Sequence, residues 1–197
     1  LHAGRGGPVT DPRIASVSDL EVTTTVRACR GVAVRGAHYH LTLDRAGFGW
    51  SDSPSTPRTS TQIAKELHQL LKAARIPPPY VLVAHSFGAV YSKAFEHQYP
   101  AEVRRLVLID PYPSETNAAP RTHPASATLR KLENTPNWRA AVKAERAVMR
   151  QNVANDHPAL PNAVILRAQG IAGAHHYLQI SNPVLVINAI RQSLAAP

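Results

Sequence analysis

Tyr80-Val81-Leu82-Val83-Ala84-His85-Ser86-Phe87-Gly88 is the stretch on which the reading of this chain turns. Tyr80 to Ala84 is a short β-branched run, the pattern of a strand buried on both faces. His85-Ser86-Phe87-Gly88 reads as a tight turn, and Ala89 to about Gln98 as a helix stopped by Pro100. A serine at such a junction invites a chemical reading. Its hydroxyl is a poor nucleophile unless a base removes the proton and the oxygen projects clear of the backbone. A sharp strand-to-helix turn meets the second need, but it brings the helix start close to the strand and calls for small residues on either side. Ala84 and Gly88 are those residues, giving A-H-S-F-G. The same helix N-terminus offers backbone N–H groups to a developing oxyanion.

The flanks agree with this reading. Upstream, Thr59-Ser60-Thr61-Gln62 fits a capping box. Ile63, Leu67, Leu70, Leu71 and Ala74 then recur at helical spacing until Pro77-Pro78-Pro79 ends the helix. Before it lies a glycine-rich loop, Asp44 to Asp52, entered from an extended stretch at Leu41 to Leu43. Downstream, Leu106-Val107-Leu108-Ile109 is a second buried strand, closed by Asp110-Pro111. Helix, strand, helix, strand in this order predicts right-handed crossovers on a parallel sheet. Residues 111–138 carry Pro, Ser, Thr and Asn and read as a long loop, and Trp138 to about Asn155 as helical. Ala163 to Leu166 is a candidate strand, followed by a loop holding His175 and His176. Asn182 caps a last helix with Pro183 at its first position, and Ile187, Ile190 and Leu194 are expected on its inner face. Thr23 to Val26 is a candidate strand inside an Arg-rich stretch, residues 9–40, that otherwise follows no clear pattern.

Taken together, DRAGFGWSD (Asp44 to Asp52), AHSFG (Ala84 to Gly88) and LVLIDP (Leu106 to Pro111) resemble, in order and spacing, the α/β-hydrolase-fold superfamily. His176-Tyr177-Leu178-Gln179 is similar to the catalytic-histidine segment of that family, and Leu1 to Gly7 resembles the loop after its third strand. The likeness covers residues 42–115 closely and 160–197 moderately. It implies an α/β fold, a mostly parallel sheet flanked by helices. Residues 1–197 would form a single domain, with 111–160 as a reduced lid and the first strands of the fold lying before Leu1. It also implies roles: Ser86 as nucleophile, His176 rather than its neighbour His175 as base, and Phe87 and Arg5 as N–H donors of the oxyanion hole. For the triad acid, the strand that commonly carries it in the family has no apolar counterpart here. Asp110, at a strand end that some members use, is the first candidate and Asp156 the second; a site without a functional acid is the third reading. Asp44, Arg45 and Trp50 resemble loop-fixing residues, and His85 a structural residue of the elbow.

Composition bounds the rest. With 197 residues, 44% of them hydrophobic and 18% charged, the chain suits one soluble globular domain with a real core. No run approaches the roughly 18 apolar residues of a membrane span. A net charge of +9 invites a polyanion reading, yet no basic run exceeds two residues, as at Arg104-Arg105, and no nucleic-acid module is present. Cys29 is the only cysteine, which excludes an intrachain disulfide and a zinc site of several thiolates. His38-Tyr39-His40 could set two imidazoles on one strand face, but without a third ligand at suitable spacing no metal is expected. The chain opens with Leu and no signal peptide, which reads as a fragment or processed product with a cytoplasmic location by default. The expected function is hydrolysis of an ester-like or related small molecule through an acyl-serine, with no cofactor; oligomeric state is left open. The competing expectation is a catalytically inactive or truncated relative that binds, or does nothing.

Overall fold

The computed structural model describes residues 28–33, 39–48, 51–52, 54, 57–112, 136–159 and 161–195. Its centre is a three-stranded parallel sheet in the order β3-β4-β5, formed by β3 (Tyr80–His85), β4 (Val103–Ile109) and β5 (Val164–Leu166). A separate antiparallel pair, β1 (Ala28–Ala33) with β2 (Tyr39–Leu43), precedes it. Helix α1 (Ser60–Ala73) leads into β3, and α2 (Gly88–Gln98) connects β3 to β4 through a short 3-10 turn at Pro100–Glu102. Two helices, α3 (Pro136–Ala147) and α4 (Met149–Ala154), lie between β4 and β5. A short α5 (Leu178–Ser181) and a long α6 (Pro183–Ala195) close the described chain. The parallel, helix-flanked sheet is the architecture expected from the crossover pattern.

Side chains alternate across the sheet, so each strand feeds two cores. On one face Leu106 and Leu108 meet Ala64 and Leu71 of α1 and Ala89, Ala94 and Phe95 of α2. On the other, Val107 and Ile109 meet Leu178, Val186 and Ala189. β4 is therefore covered on both sides, and burying a side chain such as Leu106 is worth roughly 1.5–3 kcal/mol. β3 is not: Val83 is 45% exposed, where burial on both faces was expected. In the described sheet β3 pairs only with β4, and α6 leaves part of its second face open.

Local chemistry explains the helix starts. Thr59 Oγ1 accepts the Gln62 N–H at 3.2 Å, half of the expected capping box; Gln62 turns its amide to Glu66 instead of back to Thr59. Glu66 also accepts from the buried guanidinium of Arg58 at 2.7 Å. Asn152 of α4 clamps the same corner, its Oδ1 accepting the Ser60 N–H and its Nδ2 donating to the Arg58 carbonyl. Asn182 Oδ1 accepts the Leu185 N–H, which is the expected cap of α6. The inner face of α6 differs from expectation. Val186, Ala189 and Ser193 are buried, Ile190 and Leu194 half-buried, and Ile187 is 45% exposed. The stretch after Trp138 also differs, since Val148 breaks it into two helices. Thr23 to Val26 lies outside the described residues.

Candidate active site

Parallel strands end side by side, so residues just beyond their C-termini are brought together from distant parts of the chain. Ser86 is the first residue after β3 and Asp110 the first after β4. The ladder runs on into both: Ser86 N–H donates to the Ile109 carbonyl at 3.0 Å, and Asp110 N–H to the Leu166 carbonyl at 2.6 Å. Both take the left-handed backbone region, with φ of 53° at Ser86 and 42° at Asp110. For a residue with a Cβ this conformation costs about 1–3 kcal/mol and persists only where the surroundings enforce it. At Ser86 they do: its carbonyl accepts from Ala89 at 3.1 Å and from Tyr112 at 3.0 Å, tying the turn to α2 and to the loop after β4. A Cβ added at Gly88 would sit 3.7 Å from Ala84 Cβ, so helix start and strand are in contact at the two small residues.

His176 comes from the loop between β5 and α5. Its Nδ1 lies 2.7 Å from Asp110 Oδ2, and both side chains are largely buried. Asp110 Oδ1 in turn faces the Ala168 N–H at 3.5 Å. With Nδ1–H donating to the carboxylate, Nε2 is the basic nitrogen of the ring. His85, beside Ser86 in sequence, puts its Nε2 2.8 Å from the His176 carbonyl, with the two rings 4.5 Å apart. The histidine loop is thus pinned to the strand end that carries Ser86. His175 points elsewhere; its Nδ1 accepts the Tyr177 N–H within the turn.

The other sequence candidates fall as follows. Asp156 is ion-paired with Lys93 of α2, so the carboxylate hydrogen-bonded to His176 is that of Asp110. Phe87 stands at the N-cap of α2, and among the described residues its N–H has no hydrogen-bond acceptor. Arg5, His38 and Trp50 lie outside the described residues. Among the described residues no cluster of three or more His, Cys, Asp or Glu could hold a metal, and no helix is long and apolar enough to cross a membrane.

Residues that sequence reasoning did not single out complete the surroundings. A cleft of about 310 Å³ is lined by Ser86, Phe87, Tyr112, Val142, Glu145, Arg146 and Met149. Four of these belong to α3 and α4, which the sequence offered only as a helical stretch after Trp138. Arg45 holds α3 in place, with Nη2 2.9 Å and Nε 3.2 Å from Glu145 Oε1. Its guanidinium also lies over the rings of Phe48 and Tyr91. Burial, and secondarily the Glu145 charge, pushes the Tyr91 hydroxyl well above the usual phenol range, so Tyr91 stays neutral. Trp138 meets Phe48 edge to face at 5.0 Å. Gly47 has φ 87°, and a Cβ there would come within 2.9 Å of Ala141 Cβ. The loop-fixing role expected of Arg45 extends to fixing a helix 100 residues away.

Comparison with known proteins agrees with this architecture. Residues 23–192 match the profile of the Alpha/beta hydrolase family, and the chain belongs to that family. It is similar to the uncharacterized protein YqjL of Bacillus subtilis, 44% identical over 71 residues that cover 36% of this chain and 28% of YqjL. It is also similar to a (Lyso)-N-acylphosphatidylethanolamine lipase of Mus musculus, 30% identical over 99 residues, 45% of this chain and 29% of the lipase. The chain thus spans under a third of either relative. Among solved structures, a putative lipase of Acinetobacter baumannii AYE superposes with a TM-score of 0.65 at 15% identity, covering 89% of each chain. At that identity the likeness concerns the fold.

Proposed function

We propose that this chain is a serine hydrolase that cleaves ester-like small substrates through a covalent acyl-serine. Ser86 Oγ attacks the carbonyl carbon as His176 takes its proton. The proton passes to the leaving alcohol, and water then releases the acid by the reverse sequence. Asp110 orients His176 and stabilises its charged form, and the Phe87 N–H donates to the oxyanion. The observation that carries the reading is the 2.7 Å Asp110–His176 contact beside a left-handed Ser86 at the ends of adjacent parallel strands. The family membership and the likeness to the (Lyso)-N-acylphosphatidylethanolamine lipase of Mus musculus support the same class of chemistry. Helix α3, within the segment 111–160, serves as a reduced lid over the cleft.

A fluorophosphonate probe tests the proposal. Wild-type protein should be labelled covalently and Ser86→Ala should not. Equal labelling of the two, or no labelling of folded wild-type protein, would overturn the reading in favour of a non-catalytic relative.

A further inference from the structure

Helix α3 is not an incidental neighbour of Ser86. It is locked to the glycine-rich loop by the forked Arg45–Glu145 pair, by the Phe48–Trp138 edge-to-face contact and by the close fit of Ala141 on Gly47. These contacts fix which α3 side chains line the cleft. Two adjacent ones carry charge. Glu145 faces the cleft, but its carboxylate is neutralised by Arg45, both oxygens lying within hydrogen-bond distance of the guanidinium. Arg146 lines the same cleft, is exposed, and has no ion-pair partner among the described residues. The remaining wall is mostly apolar: Phe87, Val142 and Met149, with Tyr112 beside them. Among the described residues the cleft has one uncompensated charge, and it is positive.

We infer that the substrate of the Ser86 site is an ester bearing an anionic group, a carboxylate or a phosphate, which Arg146 binds. The inference rests on the reading of Ser86 as the nucleophile and makes Arg146 a specificity residue, not a participant in bond making. The apolar wall accommodates the chain between ester and anion, and the guanidinium offers paired N–H donors matched to planar carboxylate or to phosphate oxygens. An anion at a cleft mouth is partly screened by water, so its effect is that of a partly exposed ion pair.

Selectivity is the readout. For wild type and Arg146→Gln, kcat/KM is compared for 4-nitrophenyl hemiglutarate against the neutral 4-nitrophenyl valerate, and for 1-hexanoylglycerol 3-phosphate against 1-hexanoylglycerol. The wild-type preference for the anionic partner should fall by about fivefold in Arg146→Gln, and Arg146→Lys should keep most of it. A drop confined to one pair identifies carboxylate or phosphate as the group recognised. Equal selectivity in wild type and Arg146→Gln in both pairs overturns the inference while leaving the hydrolase intact. Absence of Ser86-dependent turnover of any of these esters by folded wild-type protein instead overturns the proposed function, and the inference with it.

Discussion

At the scale of single residues, the candidate site brings together three side chains whose positions depend on contacts with distant parts of the chain. Ser86 and Asp110 both sit at positive φ, and each is held by backbone hydrogen bonds to a neighbouring strand or loop. His176 is held twice, through its ring by Asp110 and through its carbonyl by His85. Asp110→Asn should therefore leave the fold intact while supporting the wrong imidazole tautomer. The expected loss of ester turnover is about 10³- to 10⁴-fold, against little change for Asp156→Asn; comparable losses would reject Asp110 as the acid. The strand–turn–helix that carries Ser86 and the loop that carries His176 were legible in the sequence, because such junctions are local patterns. The acid could only be ranked, Asp110 first for its place at a strand end and Asp156 second; adjacency of β4 and β5 brings Asp110 to the histidine, and an ion pair takes Asp156 to Lys93.

At the scale of elements, the glycine-rich loop and α3 behave as one unit. Gly47 is needed for two reasons that act together, a φ of 87° and a neighbour that leaves no room for a Cβ. Gly47→Ala should destabilise the protein by about 1–3 kcal/mol, read as a fall in the urea midpoint. It should also raise protease sensitivity within 136–147, because α3 loses its seat. A change in stability without new cleavage there would show that the loop does not hold the helix. Periodicity made α1 readable, and a stopping proline and an Asn cap did the same for α2 and α6. It could not reveal that α3 docks on residues 45–48, because an ion pair and an aromatic contact spanning some 100 residues leave no local signature.

At the scale of the whole molecule, stability resides on the two faces of β4, whose Leu106, Val107, Leu108 and Ile109 are all buried. Leu178, fully buried against the second face, should cost about 2–5 kcal/mol when cut to alanine. Ile187→Lys should stay within about 0.5 kcal/mol of wild type, despite its place in an apolar helix, because its side chain is exposed. Urea unfolding of the two variants checks the contrast, and a large loss at Ile187 would mean that this surface is covered. The sequence by itself determined the α/β class and the strand–turn–helix at Ser86, because these follow from hydrophobic periodicity, small-residue spacing and turn chemistry within a few residues. Only the tertiary structure decided the carboxylate partner of His176, the face that α6 buries and the charge lining the cleft beside Ser86. Each of these depends on which distant elements lie side by side, and adjacency in a parallel sheet is set by packing across the whole chain.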